Sequence, residues 1–370
     1  MNQTNPASLN PLVNEQLGNL DTSGIQQFWT NIVDKYQGYL PESQSKSLFE
    51  ILMGEHSFTL QDVLKGIINF FLHEVVSNGK LLGAILIITV FAMILETMQS
   101  AFERKTVSTV GYAVSYLVLI VLALNSFRVA IDYATQAISE MVNFIIALVP
   151  LVLALMASTG NITSVAIFHP MIIFLVNISG TLIYTIVFPL LFLSALLNIV
   201  STFSIKYQLT KLAGILRSAG LWLLGSFFTI FLSVLSLQGA TAAVTDGVAV
   251  RTVKYIAGNF IPVVGRMFSD ATETVVGASL LVKNTVGLAG VMILLFIVAF
   301  PALKILALAL LYNLSAAVMQ PLGDSPVIKC LSIIGKNLLF VFAILATMGL
   351  MFFLAITIII SASNLSVMMR

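Results

Sequence analysis

Between Met141 and Ile205 the chain runs 65 residues without a lysine, arginine, aspartate or glutamate. A soluble fold has no use for so long an uncharged stretch, whereas a helix crossing the hydrocarbon core needs about 20 apolar residues. Further charge-free runs cover 107–127, 218–245, 284–303 and 337–369. With 58% hydrophobic and 9% charged residues and a mean hydropathy of +1.01, the chain reads as an all-α polytopic membrane protein. Transmembrane strands would be about half as long and would alternate in polarity.

One cysteine, Cys330, excludes an internal disulfide, and His56, His73 and His169 lie too far apart for a metal-ligand spacing. No phosphate-binding loop, HExxH or G-x-S-x-G pattern occurs, so the reading is a non-enzyme without cofactor or catalytic residue. The formal net charge of +2 divides unevenly: residues 1–80 hold four lysines against eight acids, a net of −4, which leaves +6 on the rest. The sign of that acidic, soluble part disfavours its binding to nucleic acid or anionic lipid, while the apolar remainder has the lipid bilayer as its expected surroundings.

The first residues are polar and lack the basic and apolar regions of a secretory signal, so an exported start implies a signal preceding Met1. Ser23 to Tyr39 places Ile25, Phe28, Trp29, Ile32, Val33 and Tyr36 at helical spacing, with Asp21, Thr22 or Ser23 as cap. Leu60, Val63, Leu64, Ile67, Ile68, Phe71 and Val75 make a second amphipathic face, opened by a Thr59–Asp62 capping box. This second helix either lies in the membrane interface and feeds the first span, or folds back on the first helix as a hairpin. The first span is expected at about 81–102, containing Glu96, and the second at 107–127.

Shifting the sequence by 112 residues lays Pro150 on Pro262 and FPLLFLSAL (188–196) on FPALKILAL (300–308), with five of nine positions identical in the latter pair. That offset predicts an internal repeat. It divides the chain into an acidic extracytoplasmic region (1–78), a first transmembrane helix and cytoplasmic loop (79–106), repeat 1 (107–217), repeat 2 (218–328) and a last transmembrane helix (329–370). Residues 253–270, the counterpart of 141–158, contain Lys254, Asn259, Arg266 and Asp270 and cannot face lipid along their length. Non-helical backbone at membrane depth survives only where it is buried in protein or lines a wet cavity. Both segments therefore read as re-entrant elements broken at Pro150 and Pro262, and Pro189, Gly258, Gly265 and Pro301 are further expected helix breaks. The basic clusters Arg104/Lys105 and Lys206/Lys211/Arg217 should share the cytoplasmic side, which requires an even number of crossings between them.

Arg266, Asp270, Glu273 and Gly277 recur at spacings of four, three and four, one face of a helix. With Lys283 and Asn284, they are the candidate lining or subunit contact, since ionisable groups at membrane depth face a bundle interior, a partner or water. A solvated amphipathic helix explains the same pattern. Gly220, Gly225, Gly287 and Gly290 suggest close helix packing.

The run YIAGNFIPVVGRMFSDATETVVGASLLVKNTVG (255–287), followed by FPALKILAL, resembles the stage III sporulation protein AE family of spore-forming bacteria. The likeness extends over nearly the whole chain. It implies a multi-pass protein of the mother-cell membrane surrounding the forespore, acting as a channel or permease component. The implied partners are the other stage III sporulation A-operon membrane proteins and the stage II sporulation protein Q complex, with a homo-oligomer also open. Family members normally begin with a signal sequence, from which this chain departs. A pore or transport subunit and a membrane scaffold that docks other subunits remain as the two readings.

Overall fold

The computed structural model describes residues 21–40, 60–101, 106–203, 209–260, 264–323 and 325–368. The nine α-helices among them are α1 (Ser23–Lys35), α2 (Leu60–Ser77), α3 (Gly79–Ala101), α4 (Thr106–Ser158), α5 (Ile162–Leu182), α6 (Phe188–Phe203), α7 (Thr210–Phe260), α8 (Val264–Met319) and α9 (Pro326–Met368). A π turn, Ile183–Val187, joins α5 to α6, and a 3₁₀ turn, Gln320–Leu322, follows α8. Six segments of the described residues are long and apolar enough to cross a membrane: Gly79–Met98, Val110–Ser158, Ile162–Thr202, Thr210–Thr252, Val276–Leu322 and Pro326–Met368.

The long helices run up and down. Tyr116 on α4 bonds Thr202 on α6, Phe127 stacks on Phe192 and Gly180 sits against Val142, so α4 and α5–α6 are antiparallel. On α7, Ala213 accepts a hydrogen bond from Ser194 and Asp246 meets the start of α5, which reverses direction again. Contacts of Phe231 with Phe352 and of Gly239 with Ile358 set α7 parallel to α9. Helix α8 is antiparallel to both α4 and α9, as Gly290 against Leu148, Tyr312 on Ser126 and Gly349 against Val298 show. Helix α9 touches α3, α4, α6, α7 and α8 and is buried at nearly every turn from Val327 to Ser366. It is the axis on which the others lean.

Two expectations about the path need correction. The expected second span and the expected re-entrant segment 141–158 are one helix, α4, which passes through Pro150 without a break. A proline inside a helix removes one hydrogen bond and crowds the carbonyl four residues back. Pro150 sits on the outward side, while Leu148, Val149, Leu151 and Val152 are buried and hold the helix axis on both sides of it. Pro301 likewise lies inside α8, and Gly258 and Gly265 lie within α7 and α8, so none of the three interrupts its helix. Pro262 is outside the described residues. At Pro189 the irregularity is a π turn, not a break: Ile183–Val187 take in an extra residue just before the proline ring, and α6 continues.

The 112-residue offset does not carry the turns with it. The first long hairpin turns at 159–161, where Gly160 takes φ of 81°, and the second between Phe260 and Val264, about ten residues earlier than the offset requires. The α4–α5 turn falls within the polar run ASTGNITS (157–164).

Helices α1 and α2 pack on each other and on the bundle. Tyr36 stacks on Phe300 at 3.9 Å, Phe70 meets the same ring edge-on at 4.8 Å, Trp29 approaches Phe296 at 6.2 Å and Phe28 meets Phe144 at 5.3 Å. Tyr36 and Tyr39 also contact Phe70, which ties the end of α1 to α2. The start of α1 is closed by Asp21, whose Oδ1 accepts from the Ser23 amide at 3.1 Å and from its hydroxyl, which lowers the Asp21 carboxyl below its ordinary pKa. The Thr59–Asp62 box falls on the edge of the described residues, with Thr59 outside them.

Candidate functional site

Charged and amide side chains collect in two layers. The first lies at the end of the bundle that holds the α4–α5 turn. Asp246 on α7 is 2% exposed, yet among the described residues no lysine or arginine pairs with it. Its two carboxylate oxygens accept from the backbone amides of Thr163 and Ser164, both at 2.9 Å, and from the Ser164 hydroxyl at 2.6 Å. These are the orphan amides at the N-terminus of α5, where the helix dipole favours negative charge. Asp246 is thus an N-cap supplied from a different helix. Beside it, Asn161 donates to Thr159 and to Ser363, each at 2.8 Å, tying the turn to α9.

Lys283 of α8 is fully buried. Its ammonium donates to Asn364 Oδ1 at 2.5 Å and to the Ile360 carbonyl at 3.4 Å, and Asn364 donates to Asn284 at 3.5 Å. Adjacent residues of α9, Ser363 and Asn364, are therefore held by different elements, the α4–α5 turn and α8. A continuous polar layer joins α5, α7, α9 and α8.

The second layer lies midway along the bundle. Lys304 of α8 pairs with Glu74 of α2 at 3.5 Å and stands over the Tyr133 ring at 5.3 Å. Lys35 of α1 pairs with Glu140 of α4 at 3.0 Å. Burial, with Glu140 and Glu74 nearby, raises the Tyr36 phenol well above its ordinary pKa. Asn125, Arg128, Asp132 and Gln136 line one exposed face of α4 at this height. Glu96 is no isolated membrane acid: it accepts from Ser325 at 2.5 Å, just before α9 begins.

Of the residues expected from sequence, Lys283 and Asn284 are placed in the first layer. Arg266, Asp270 and Glu273 fall within α8, but their side chains lie outside the described residues. Gly277, the next position on their face, has open space where a Cβ would project. Sequence reasoning did not single out Asp246, Ser363 or Asn364; the available signal was the one acid that ends the charge-free run 218–245. No cluster of three histidine, cysteine or acidic side chains suited to a metal occurs among the described residues. The layers offer fixed dipoles and hydrogen bonds at membrane depth, the chemistry of a structural joint or of a polar lining.

Comparison with known proteins adds the family. The profile described as "Stage III sporulation protein AE (spore_III_AE)" matches residues 43–363. "Stage III sporulation protein AE" of Bacillus subtilis (strain 168) is 55% identical over 359 residues, covering 97% of this chain and 90% of that protein. No solved structure matches. An all-helical chain with six candidate spans, matched by that profile from 43 to 363, belongs to the stage III sporulation protein AE family.

Proposed function

We propose that this chain is an integral subunit of the sporulation apparatus linking mother cell and forespore, embedded in the mother-cell membrane, where it contributes to a pore or permease-like assembly. The observation that carries the form of this reading is α9. Helix α9 packs its inner side against α3, α4, α6, α7 and α8 at nearly every turn, and this filled interior favours a conducting path between chains over one through a single chain. The chain then forms part of a wall, together with the other stage III sporulation A-operon membrane proteins and the stage II sporulation protein Q complex. The same filled centre favours the second reading, a scaffold that docks those subunits without conducting.

The proposed orientation places the N-terminal region outside the cytoplasm. Support comes from the charges: Arg104/Lys105, Lys206/Lys211/Arg217 and Lys329/Lys336 fall at or beside the α3–α4, α6–α7 and α8–α9 connections. Six crossings put all three on one side, the cytoplasmic one by the positive-inside rule.

In either reading, we infer that Arg266 and Asp270 act through their charge. The experiment uses a spore-forming host lacking its own copy of the protein. Arg266→Ala and Asp270→Asn are each expected to abolish complementation while the protein reaches the membrane at the normal level. Full sporulation with both variants would remove these two charges from the function.

A further inference from the structure

We propose that the groove between α7 and α9, at the end where α9 begins, binds the headgroup of an anionic phospholipid through Arg217 and Lys336. The inference goes beyond the role in sporulation and requires only that the chain sits in a bilayer.

The Arg217 guanidinium lies 4.9 Å from the centroid of the Phe340 ring, across the α7–α9 contact. It is held in place by a ring face and not by a carboxylate. Lys336 is exposed and stands one helical turn before Phe340, so the two project from neighbouring positions on one face of α9, about 5–6 Å apart at Cβ. Among the described residues neither cation has an acidic partner. Three other cations are engaged within the chain: Lys35 with Glu140, Lys304 with Glu74, and Lys283 with Asn364. Arg217 and Lys336 are left for an anion from outside.

What lies beside them selects a lipid over a free anion. From Ser218 on α7 and Asn337 on α9 the sequence is charge-free, to residues 245 and 369 respectively. Along α9 the outward residues Leu339, Ala343, Leu350 and Phe353 continue from Lys336 as an apolar track, with Leu339 40% and Leu350 51% exposed. Lys336 to Leu350 spans about 21 Å at 1.5 Å per residue, of the same order as the roughly 15 Å half-thickness of the hydrocarbon core. Trp222, 79% exposed, lies just inside the cations on α7, the position at which tryptophan anchors a helix at the membrane interface. Paired cations at the mouth of an apolar track match a phosphodiester carrying acyl chains.

Trp222 also supplies the readout, since Trp29 is the one other tryptophan. The full chain with Trp29→Phe is reconstituted into vesicles of phosphatidylcholine containing a small fraction of brominated phosphatidylglycerol or, separately, brominated phosphatidylcholine. Brominated phosphatidylglycerol is expected to quench Trp222 at on the order of tenfold lower mole fraction, since each basic residue near an anionic lipid contributes about 1 kcal/mol. Arg217→Gln with Lys336→Gln is expected to abolish that difference, while Lys80→Gln, on α3, leaves it intact. Quenching by the two brominated lipids at equal mole fractions would overturn the proposal, and so would a preference that survives the double variant. Inorganic phosphate at millimolar concentration should not relieve the quenching; relief would mean a free-anion site and not a lipid site. Should the double variant fail to insert, the wild-type comparison of the two brominated lipids decides by itself.

Discussion

At the scale of single residues, Asp246 shows how a buried charge persists without a counter-ion. Two backbone amides and a hydroxyl supply the hydrogen bonds that water would otherwise provide, and the α5 dipole supplies the favourable field. Asp246→Ala would strand the amides of Thr163 and Ser164 in a buried site. We expect a stability loss of about 1–3 kcal/mol, read as a lowered midpoint of thermal unfolding in detergent, with Asp246→Asn milder because one acceptor oxygen remains. An unchanged midpoint for the alanine variant would mean that water reaches these amides. Glycines divide in a similarly specific way. A Cβ on Gly349 would lie 2.8 Å from Val298 Cγ2, whereas one on Gly225 would meet nothing within 4 Å. Gly349→Ala should therefore cost about 1–3 kcal/mol through overpacking of α8 on α9. Gly225→Ala should be neutral or gain about 0.5–1 kcal/mol of helix propensity. The sequence named Gly225 as a packing glycine; the structure places it on the outer surface of α7, while Gly287 and Gly290 do approach Ile360 and Leu148.

Among the elements, the instructive one is α4. Its apolar ends, 107–127 and 141–158, are separated by a polar middle, and hydropathy alone reads such a middle as a boundary. The polar residues Asn125, Arg128, Asp132 and Gln136 recur every three or four positions and share one exposed face, so the helix continues beneath them. The spacing was present in the sequence, but the inference from proline and from crossing parity pointed the other way. Because α4 does not break at Pro150, Pro150→Ala should restore a backbone hydrogen bond without redirecting the chain. We expect unchanged or raised thermal stability and normal sporulation. Loss of sporulation with normal insertion would mean that the proline deforms α4 in a way the function uses. Helix α1 was more legible than α2: its buried side, Ile25, Trp29, Ile32 and Val33, follows the apolar spacing directly, whereas in α2 Leu64 and Ile68 of the expected face are exposed and Phe70 is buried instead.

For the whole molecule, length is the unusual quantity. The apolar segments of α4, α7, α8 and α9 run 43 to 49 residues, about 65–74 Å at 1.5 Å per residue, against a hydrocarbon core of about 30 Å. Such helices either cross obliquely or extend well beyond the bilayer. With six crossings, single cysteines at Ser8 and Ser158, in a Cys330→Ser background, should react with an impermeant thiol reagent from outside intact cells. Cysteines at Thr106 and Thr210 should react only after permeabilisation. Labelling of Thr210 from outside would refute the six-crossing orientation.

Composition and charge by themselves determined that this chain is a helical membrane protein, which ends of its spans carry the basic clusters, and which family motif it bears. These properties depend on transfer free energies and local spacing, and both are sums over neighbouring residues. The tertiary structure alone decided that α9 occupies the centre, that Asp246 caps a helix 82 residues away and that Lys283 finds Asn364. In a chain where almost every segment is apolar, hydrophobicity no longer distinguishes inside from outside. The arrangement is then set by which small residues allow close approach and which few polar groups can satisfy one another, and those pairings join residues far apart in sequence.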